Sequence, residues 1–210
     1  MTSKQRFGIL CSIPGLLLLI GIILFPTIYN LYTSFTRYDN FSPVVFNGLS
    51  NYQKLFSSSD FYTSWRVSLI YSLGVTLISI VMGVIIATCL SKIKKGGSIF
   101  RTLVILPWAA PLVVSGLIWK WILSNNLGIV NYLLSLVGIG PIDFLINPSL
   151  AILSGIIGTS WAYIPFTTIL ILASIESIPE ELFEASQIDG ADSLQTFWSI
   201  IVGLTKKQIL

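Results

Sequence analysis

The stretch from Ser149 to Ile175, SLAILSGIIGTSWAYIPFTTILILASI, decides the fold class of this chain. It carries no charged side chain, and it is longer than the ~20 residues that a helix needs to cross ~30 Å of hydrocarbon. The whole chain is 54% hydrophobic and only 10% charged, whereas a soluble domain usually has about 25% charged residues. The sequence therefore predicts an integral membrane protein.

Three earlier apolar stretches have similar lengths, and none shows the alternation of a β-barrel strand. Helices satisfy every backbone hydrogen bond within one segment, so they are the expected way to cross the bilayer. We predict an all-α, polytopic transmembrane helix bundle that forms a single transmembrane domain over residues 1–210. Its four spans are placed at about residues 7–29, 67–90, 102–123 and 149–175. Residues 206–210 look like the start of another span, so we expect the domain to be C-terminally incomplete.

The distribution of basic residues predicts the orientation of these spans, because Lys and Arg concentrate in cytoplasmic loops. The larger group lies on one side of the four spans: Lys4, Arg6, Lys92, Lys94, Lys95, Arg101, Lys206 and Lys207. The smaller group lies on the other: Arg37, Lys54 and Arg66. We therefore expect the N-terminus, the 91–101 loop and the segment after the fourth span to be cytoplasmic. This rule explains the net charge of +3, so no nucleic-acid partner is expected.

The segment after the fourth span, residues 177–202, reads SIPEELFEASQIDGADSLQTFWSIIV and is polar and acidic. Ser177 and Glu180 have the spacing of a capping box, which predicts the start of a helix. Asp189-Gly190 predicts its end, because Gly tolerates the left-handed backbone of a helix exit. Asp192 with Gln195 predicts the cap of a second helix. The pattern predicts a helix, a tight bend and another helix.

This segment resembles the EAA loop of membrane subunits of binding-protein-dependent ABC importers. The resemblance is carried by Glu184-Ala185-Ser186, Asp189-Gly190-Ala191, Phe197 and Ile200, while Ser186 and Gly203 depart from the usual Ala and Pro. Residues 46–56, 106–119 and 161–184 are also similar to segments of the carbohydrate and glycerol-phosphate branch of that family.

The resemblance implies a permease subunit of an ATP-driven importer for a sugar or related solute, in the bacterial cytoplasmic membrane. It also implies an ATPase subunit dimer, a second permease subunit and an extracytoplasmic solute-binding protein as partners, besides membrane lipid. The implied ATPase-coupling residues are Leu182, Phe183, Glu184, Ala185, Ser186, Asp189, Gly190 and Ala191. Small residues among them would allow close docking, and Leu182 and Phe183 would provide the apolar contact.

Polar and aromatic residues deep in the third and fourth spans are candidates for the solute pathway, since aromatic faces stack on sugar rings. They are Ser115, Ser160, Trp161, Tyr163 and Thr167. Packing of Trp161 and Tyr163 against a neighbouring helix is an equally good interpretation. Two ladders of small residues, Ser79-Gly83-Ala87 and Ser154-Gly158-Ala162, predict faces where helices approach closely.

The sequence has no histidine, which removes Ser-His catalysis and His-based zinc sites. It also lacks a Gly-x4-Gly-Lys-Ser/Thr loop, so ATP hydrolysis is expected on a separate subunit. We expect no catalytic residue, no metal and no cofactor in this chain. Two alternatives stay open, a secondary carrier or channel and a truncated fragment that does not transport.

Overall fold

The computed structural model describes residues 3–37, 44–93, 95–126 and 128–209. Lys94 and Leu210, which entered the sequence analysis, lie outside this set. The chain divides into two compact units, Met1–Trp65 and Arg66–Leu210.

The first unit is dominated by one long apolar helical segment. It consists of α1 (Ser3–Leu19), a π-helical stretch (Ile20–Leu24) and α2 (Phe25–Ser34), and its residues Gln5–Ser34 are long and apolar enough to span a membrane. A two-stranded antiparallel ribbon follows, in which β1 (Thr36–Arg37) pairs with β2 (Val45–Phe46). α3 (Ser50–Ser57) completes the unit before α4 begins.

Asn51 holds the C-terminal end of α2 in place. Its side-chain amide donates to the carbonyl of Ser34 at 2.9 Å and to that of Thr36 at 2.8 Å. The Tyr52 hydroxyl lies 2.7 Å from the Ser34 hydroxyl. The last carbonyls of a helix have no partner within the helix, so α3 supplies them with one. This gives the 46–56 segment a structural role within the first unit.

The second unit contains the other helices, with α4 starting just before its boundary. They are α4 (Ser59–Ser91), α5 (Gly97–Ala109), α6 (Leu112–Ile122), α7 (Ile129–Leu136), α8 (Pro148–Glu176), α9 (Glu180–Ile188), α10 (Ser193–Thr196), a π-helical stretch (Phe197–Val202) and α11 (Gly203–Ile209). α4 and α8 are each long and apolar enough to cross a membrane. The all-α class of a polytopic helix bundle is confirmed.

The third predicted span differs from a single helix, because α5 and α6 meet at an angle of 92°. The break falls at Ala110 and Pro111, where Ala110 has an extended backbone (φ −77°, ψ 135°). A residue before proline is pushed away from the helical region, and Pro111 cannot donate the hydrogen bond that would continue the helix. Residues 102–123 therefore form one membrane span only if α5 and α6 are counted as a single bent crossing.

α4 and α8 run in the same direction and approach closely at glycines. A Cβ built on Gly74 would lie 2.8 Å from the Ile156 side chain, and one on Gly83 would lie 2.8 Å from the side chain of Thr167. Ser79 and Ala87 are buried on the same face of α4. The Ser79-Gly83-Ala87 ladder is thus confirmed as a helix-packing face.

α5 and α6 both pack against α8, α5 at Phe166 and α6 at Gly158 and Trp161. The rings of Trp108 on α5 and Phe166 are stacked with centroids 5.9 Å apart. On α6, Trp119 meets Trp161 edge-to-face at 6.2 Å, and its ring lies 3.0 Å from a Cβ built on Gly158. The second small-residue ladder therefore also lies at a helix contact, with Trp119 as the neighbour of its central glycine.

Candidate functional site

The loop at residues 177–202 contains a short helix with two defined ends. α9 begins with Glu180 and Glu181 in its first turn, where negative charge complements the helix dipole. At its end the amide of Ala191 donates to the carbonyl of Ser186 at 2.9 Å, and that of Gly190 to Gln187 at 3.1 Å. Gly190 has φ +76°. This is a Schellman motif, and the predicted helix end is confirmed.

The predicted capping box at Ser177 is wrong, whereas the second predicted box is confirmed. Ser177 still belongs to the end of α8, because its hydroxyl donates to the Ser174 carbonyl at 2.7 Å. Pro179 takes the N-cap position of α9, since it fixes an extended entry into the helix. For α10, the Asp192 carboxylate accepts from the amide of Gln195 at 2.7 Å. The Gln195 side chain in turn accepts from the amide of Asp192 at 2.9 Å.

The loop stands on the main apolar core of the described residues. This core cluster joins the ends of α4 and α8 to the π-helical stretch at the end of the loop: Val84, Ala87, Leu90, Ile171, Leu172, Ile175 and Ile201. Phe183 of α9 and Phe197 pack against it. The two aromatic rings anchor α9 and the segment after it to the ends of two long helices.

The residues predicted to couple to a partner divide between two faces. Leu182 (43% exposed), Glu184, Ala185, Asp189 and Gly190 lie on the exposed side. Ala191 is half-buried, and Ser186 turns inward, with its hydroxyl donating to the Phe183 carbonyl at 2.8 Å.

Phe183, expected to provide an apolar contact for a partner, is half-buried and packs on the core cluster. Two exposed apolar residues of the loop, Ile188 (86% exposed) and Leu194, were not among the predicted coupling residues. Their signal is an apolar side chain beside each helix cap, within an otherwise polar loop.

A cavity of about 420 Å³ lies between α4, α6 and α8. Its polar lining includes Tyr71, Ser115, Thr159 and Tyr163, together with Lys120 at the end of α6. The hydroxyls of Tyr71 and Thr159 lie 2.5 Å apart and join α4 to α8. Gly155 and Gly158 let two aromatic rings approach α8 closely, since a built Cβ would lie 3.1 Å from the Tyr71 ring and 3.0 Å from that of Trp119.

The candidate pathway residues are only partly brought together. Ser115 and Tyr163 line the cavity, while Trp161 reaches it through its ring contact with Trp119. Ser160 is buried, and its hydroxyl has no hydrogen-bond partner among the described residues. Thr167 packs against Gly83, away from the cavity lining. Tyr71 and Thr159 were missed, and Trp119 and Lys120 line the cavity although a Trp-Lys-Trp sequence is typical of a membrane-interface belt.

Within the described ranges no group of three or more His, Cys, Asp or Glu side chains could hold a metal ion. Cys11 and Cys89 are both free thiols.

Comparison with known proteins identifies the family. Residues 79–210 match the family described as binding-protein-dependent transport system inner membrane component. The trehalose/maltose transport system permease protein MalF of Thermococcus litoralis is 31% identical, over 100% of this chain and 73% of its own length. The xylose/arabinose import permease protein XacH of Haloferax volcanii is 32% identical, over 85% of this chain and 57% of its own length.

Solved structures show the same fold. The crystal structure of a bacterial ABC transporter involved in import of the acidic polysaccharide alginate superposes with a TM-score of 0.81 at 25% identity, covering 98% of this chain and 70% of that one. The alginate transporter in complex with its pentasaccharide-bound periplasmic protein superposes with a TM-score of 0.82 at 24% identity, over 98% and 69%. The chain thus spans between 57% and 73% of the length of these relatives and structures.

Proposed function

The chain belongs to the family of binding-protein-dependent transport system inner membrane components, and we propose that it is a permease subunit of an ATP-driven importer of a sugar or related solute. It is a multi-pass membrane protein, and we place its N-terminus and the 177–202 loop on the cytoplasmic side of the cytoplasmic membrane. The larger group of basic residues supports this orientation.

The observation that carries the proposal is α9, an exposed helix anchored on the core cluster. Phe183 ties it to the ends of α4 and α8, while Leu182, Ile188 and Leu194 expose apolar surface in the same loop. A helix built in this way can receive a force from a soluble partner and pass it to the spans. We assign that partner as an ATPase subunit dimer, and we name residues 177–202 the coupling loop.

Solute would pass through the cavity between α4, α6 and α8. Its tyrosine rings and hydroxyls suit a sugar, because aromatic faces stack on the ring and hydroxyls exchange hydrogen bonds with it. The names of the relatives support this class of solute: trehalose/maltose for one and xylose/arabinose for another. A second permease subunit would complete the pathway, and an extracytoplasmic binding protein would deliver the solute.

Capture of the ATPase from native membranes tests the proposal. Ile188→Glu places a charge on the most exposed apolar residue of α9 without disturbing the core, so it should abolish capture while the chain still inserts. Asn126→Glu is the matched control, because it adds the same charge at an exposed residue between α6 and α7.

Capture by wild type and by Asn126→Glu, but not by Ile188→Glu, would support an ATPase-coupled importer. Solute uptake that follows an ion gradient and proceeds with no captured ATPase would instead identify a secondary carrier.

A further inference from the structure

An ion pair joins α5 to the last residue of α8. The Arg101 guanidinium donates through Nη2 to Oε1 of Glu176. The two side chains are 40% and 44% exposed, so the pair lies at the rim of the bundle. The Nε atom of Arg101 is buried and has no hydrogen-bond partner among the described residues. The base of the guanidinium is therefore enclosed by protein, although its tip reaches solvent.

The Glu176 carboxylate does not stabilise the helix that carries it. A negative charge at a helix C-terminus opposes the dipole of that helix, and the last turn of α8, Ala173-Ser174-Ile175-Glu176, has no basic residue of its own. Arg101 supplies the missing positive charge from α5. The position of Glu176 is therefore explained by a contact between helices.

The surroundings of the pair connect it to the coupling loop. Val104, one turn after Arg101 on α5, packs against the core cluster, as does Phe183 of α9. Glu176 is separated from α9 by only Ser177, Ile178 and Pro179.

This connection is stiff at its start, since the amide of Ser177 bonds to the Ala173 carbonyl at 3.2 Å and that of Ile178 to Ile175 at 3.1 Å. The direction of the last turn of α8 thus sets the direction in which the loop leaves.

We propose that Arg101 and Glu176 are a positioning pair that fixes the coupling loop relative to α5, so that movement of α9 is passed to α5 as well as to α4 and α8. This inference rests on the proposed function. Arg101 acts through Glu176 and the loop, and it does not itself touch the solute or the ATPase.

The test compares single and paired charge changes in the assembled transporter, reconstituted in lipid with its partner subunits. Arg101→Glu and Glu176→Arg each replace attraction by repulsion, and the double exchange restores a pair of opposite charges. We expect each single change to lower solute uptake per ATP hydrolysed about fivefold, the upper range for a partly exposed ion pair. The double exchange should return the ratio to near the wild-type value.

A second readout does not depend on transport. Amide hydrogen exchange over Glu180–Ile188 should become faster in each single variant and recover in the double exchange. Lys92→Glu is the matched control, since Lys92 is exposed just after the end of α4, and it should change neither readout. Arg101→Gln and Glu176→Gln remove the attraction without repulsion, and they serve if a reversed variant fails to fold.

The two readouts distinguish a failure of the proposed function from a failure of the positioning role. A wild-type complex whose uptake does not depend on ATP would overturn the proposed function, while the exchange measurement would still judge the positioning pair. Single variants with unchanged exchange and coupling, or a double exchange that restores neither, would overturn the positioning role itself.

Discussion

The first half of α8, Pro148 to Tyr163, borders a cavity, whereas its last turns, Ile171 to Glu176, are enclosed by the core cluster. Along the first half, Ser154, Thr159 and Tyr163 line the cavity and carry hydroxyl groups. Along the last turns, Ile171, Leu172 and Ile175 are almost fully buried. One helix therefore combines a cavity-lining end with a tightly packed end.

The difference separates two tasks that a transporter needs. Packed interiors transmit displacement because they resist compression, which suits the end on which the coupling loop stands. A cavity can accept a solute and change volume, which suits the other end. Substitutions at the two ends should therefore differ in their effect on stability.

The largest effect is expected at the packed end. Ile171 is 1% exposed, and Ile171→Ala should lower the free energy of unfolding by about 2–4 kcal/mol, because it leaves a cavity that its neighbours cannot fill. Leu170→Ala is the control, since the adjacent Leu170 is 49% exposed. Equal losses on unfolding in mixed detergent micelles would show that this end is not tightly packed.

A smaller loss is expected where α4 meets α8. Gly83→Leu must displace Thr167 and approach the backbone amide of Thr168, 3.3 Å from a built Cβ. Overpacking of this kind costs about 1–3 kcal/mol, and it should lower the thermal midpoint in detergent. Gly15→Leu lies where nothing is within 4 Å, so its midpoint should stay close to that of wild type. An equal drop for both variants would show that the close approach at Gly83 is not the cause, since Gly→Leu by itself favours a helix.

The second cap of the coupling loop should contribute less. Asp192→Ala removes the carboxylate that accepts from Leu194 and Gln195, which should destabilise the start of α10 by about 1 kcal/mol. Faster amide exchange over residues 193–196 would measure it. Asp192→Asn keeps an acceptor and should restore most of the protection; if it exchanges as fast as the Ala variant, the cap is not responsible.

The smallest effect belongs to the cavity end. Thr159→Val removes the hydrogen bond to Tyr71, and such bonds between membrane helices contribute about 0.6 kcal/mol on average. A double-mutant cycle with Tyr71→Phe isolates this coupling. A coupling as large as the loss at Ile171 would erase the distinction between the two ends of α8.

Features with a local signal in the sequence could be predicted. Apolar length was enough to find α4 and α8, and the Asp-Gly exit and the Asp192 cap depend on neighbours within a few residues. Ser177 was assigned to the start of α9 because Ser177 and Glu180 have the spacing of a capping box. In the structure Ser177 belongs to the end of α8, and Pro179 determines where α9 begins. The bend at Ala110 had its proline signal, yet its angle depends on how α5 and α6 pack against α8.

Contacts between distant segments were beyond reach. Phe183 and Ile188 are both apolar residues of α9, and only the position of the core cluster distinguishes the half-buried Phe183 from the exposed Ile188. The hydrogen bond between Tyr71 and Thr159 joins residues in different helices, and a single sequence does not show which distant residues are paired.

The two hydrogen-bonded caps of the coupling loop are the Schellman motif at Gly190 and the capping box at Asp192. They have a consequence for the rate and affinity with which the loop would bind a partner subunit. Both are formed by hydrogen bonds within residues 186–195, so the loop holds its shape without help from a partner. A preorganised surface loses little conformational entropy on association, whereas each side chain that must be ordered costs about 0.5–1.5 kcal/mol. The proposed docking helix is therefore already formed, and an encounter with the proposed ATPase partner would not have to wait for the loop to fold.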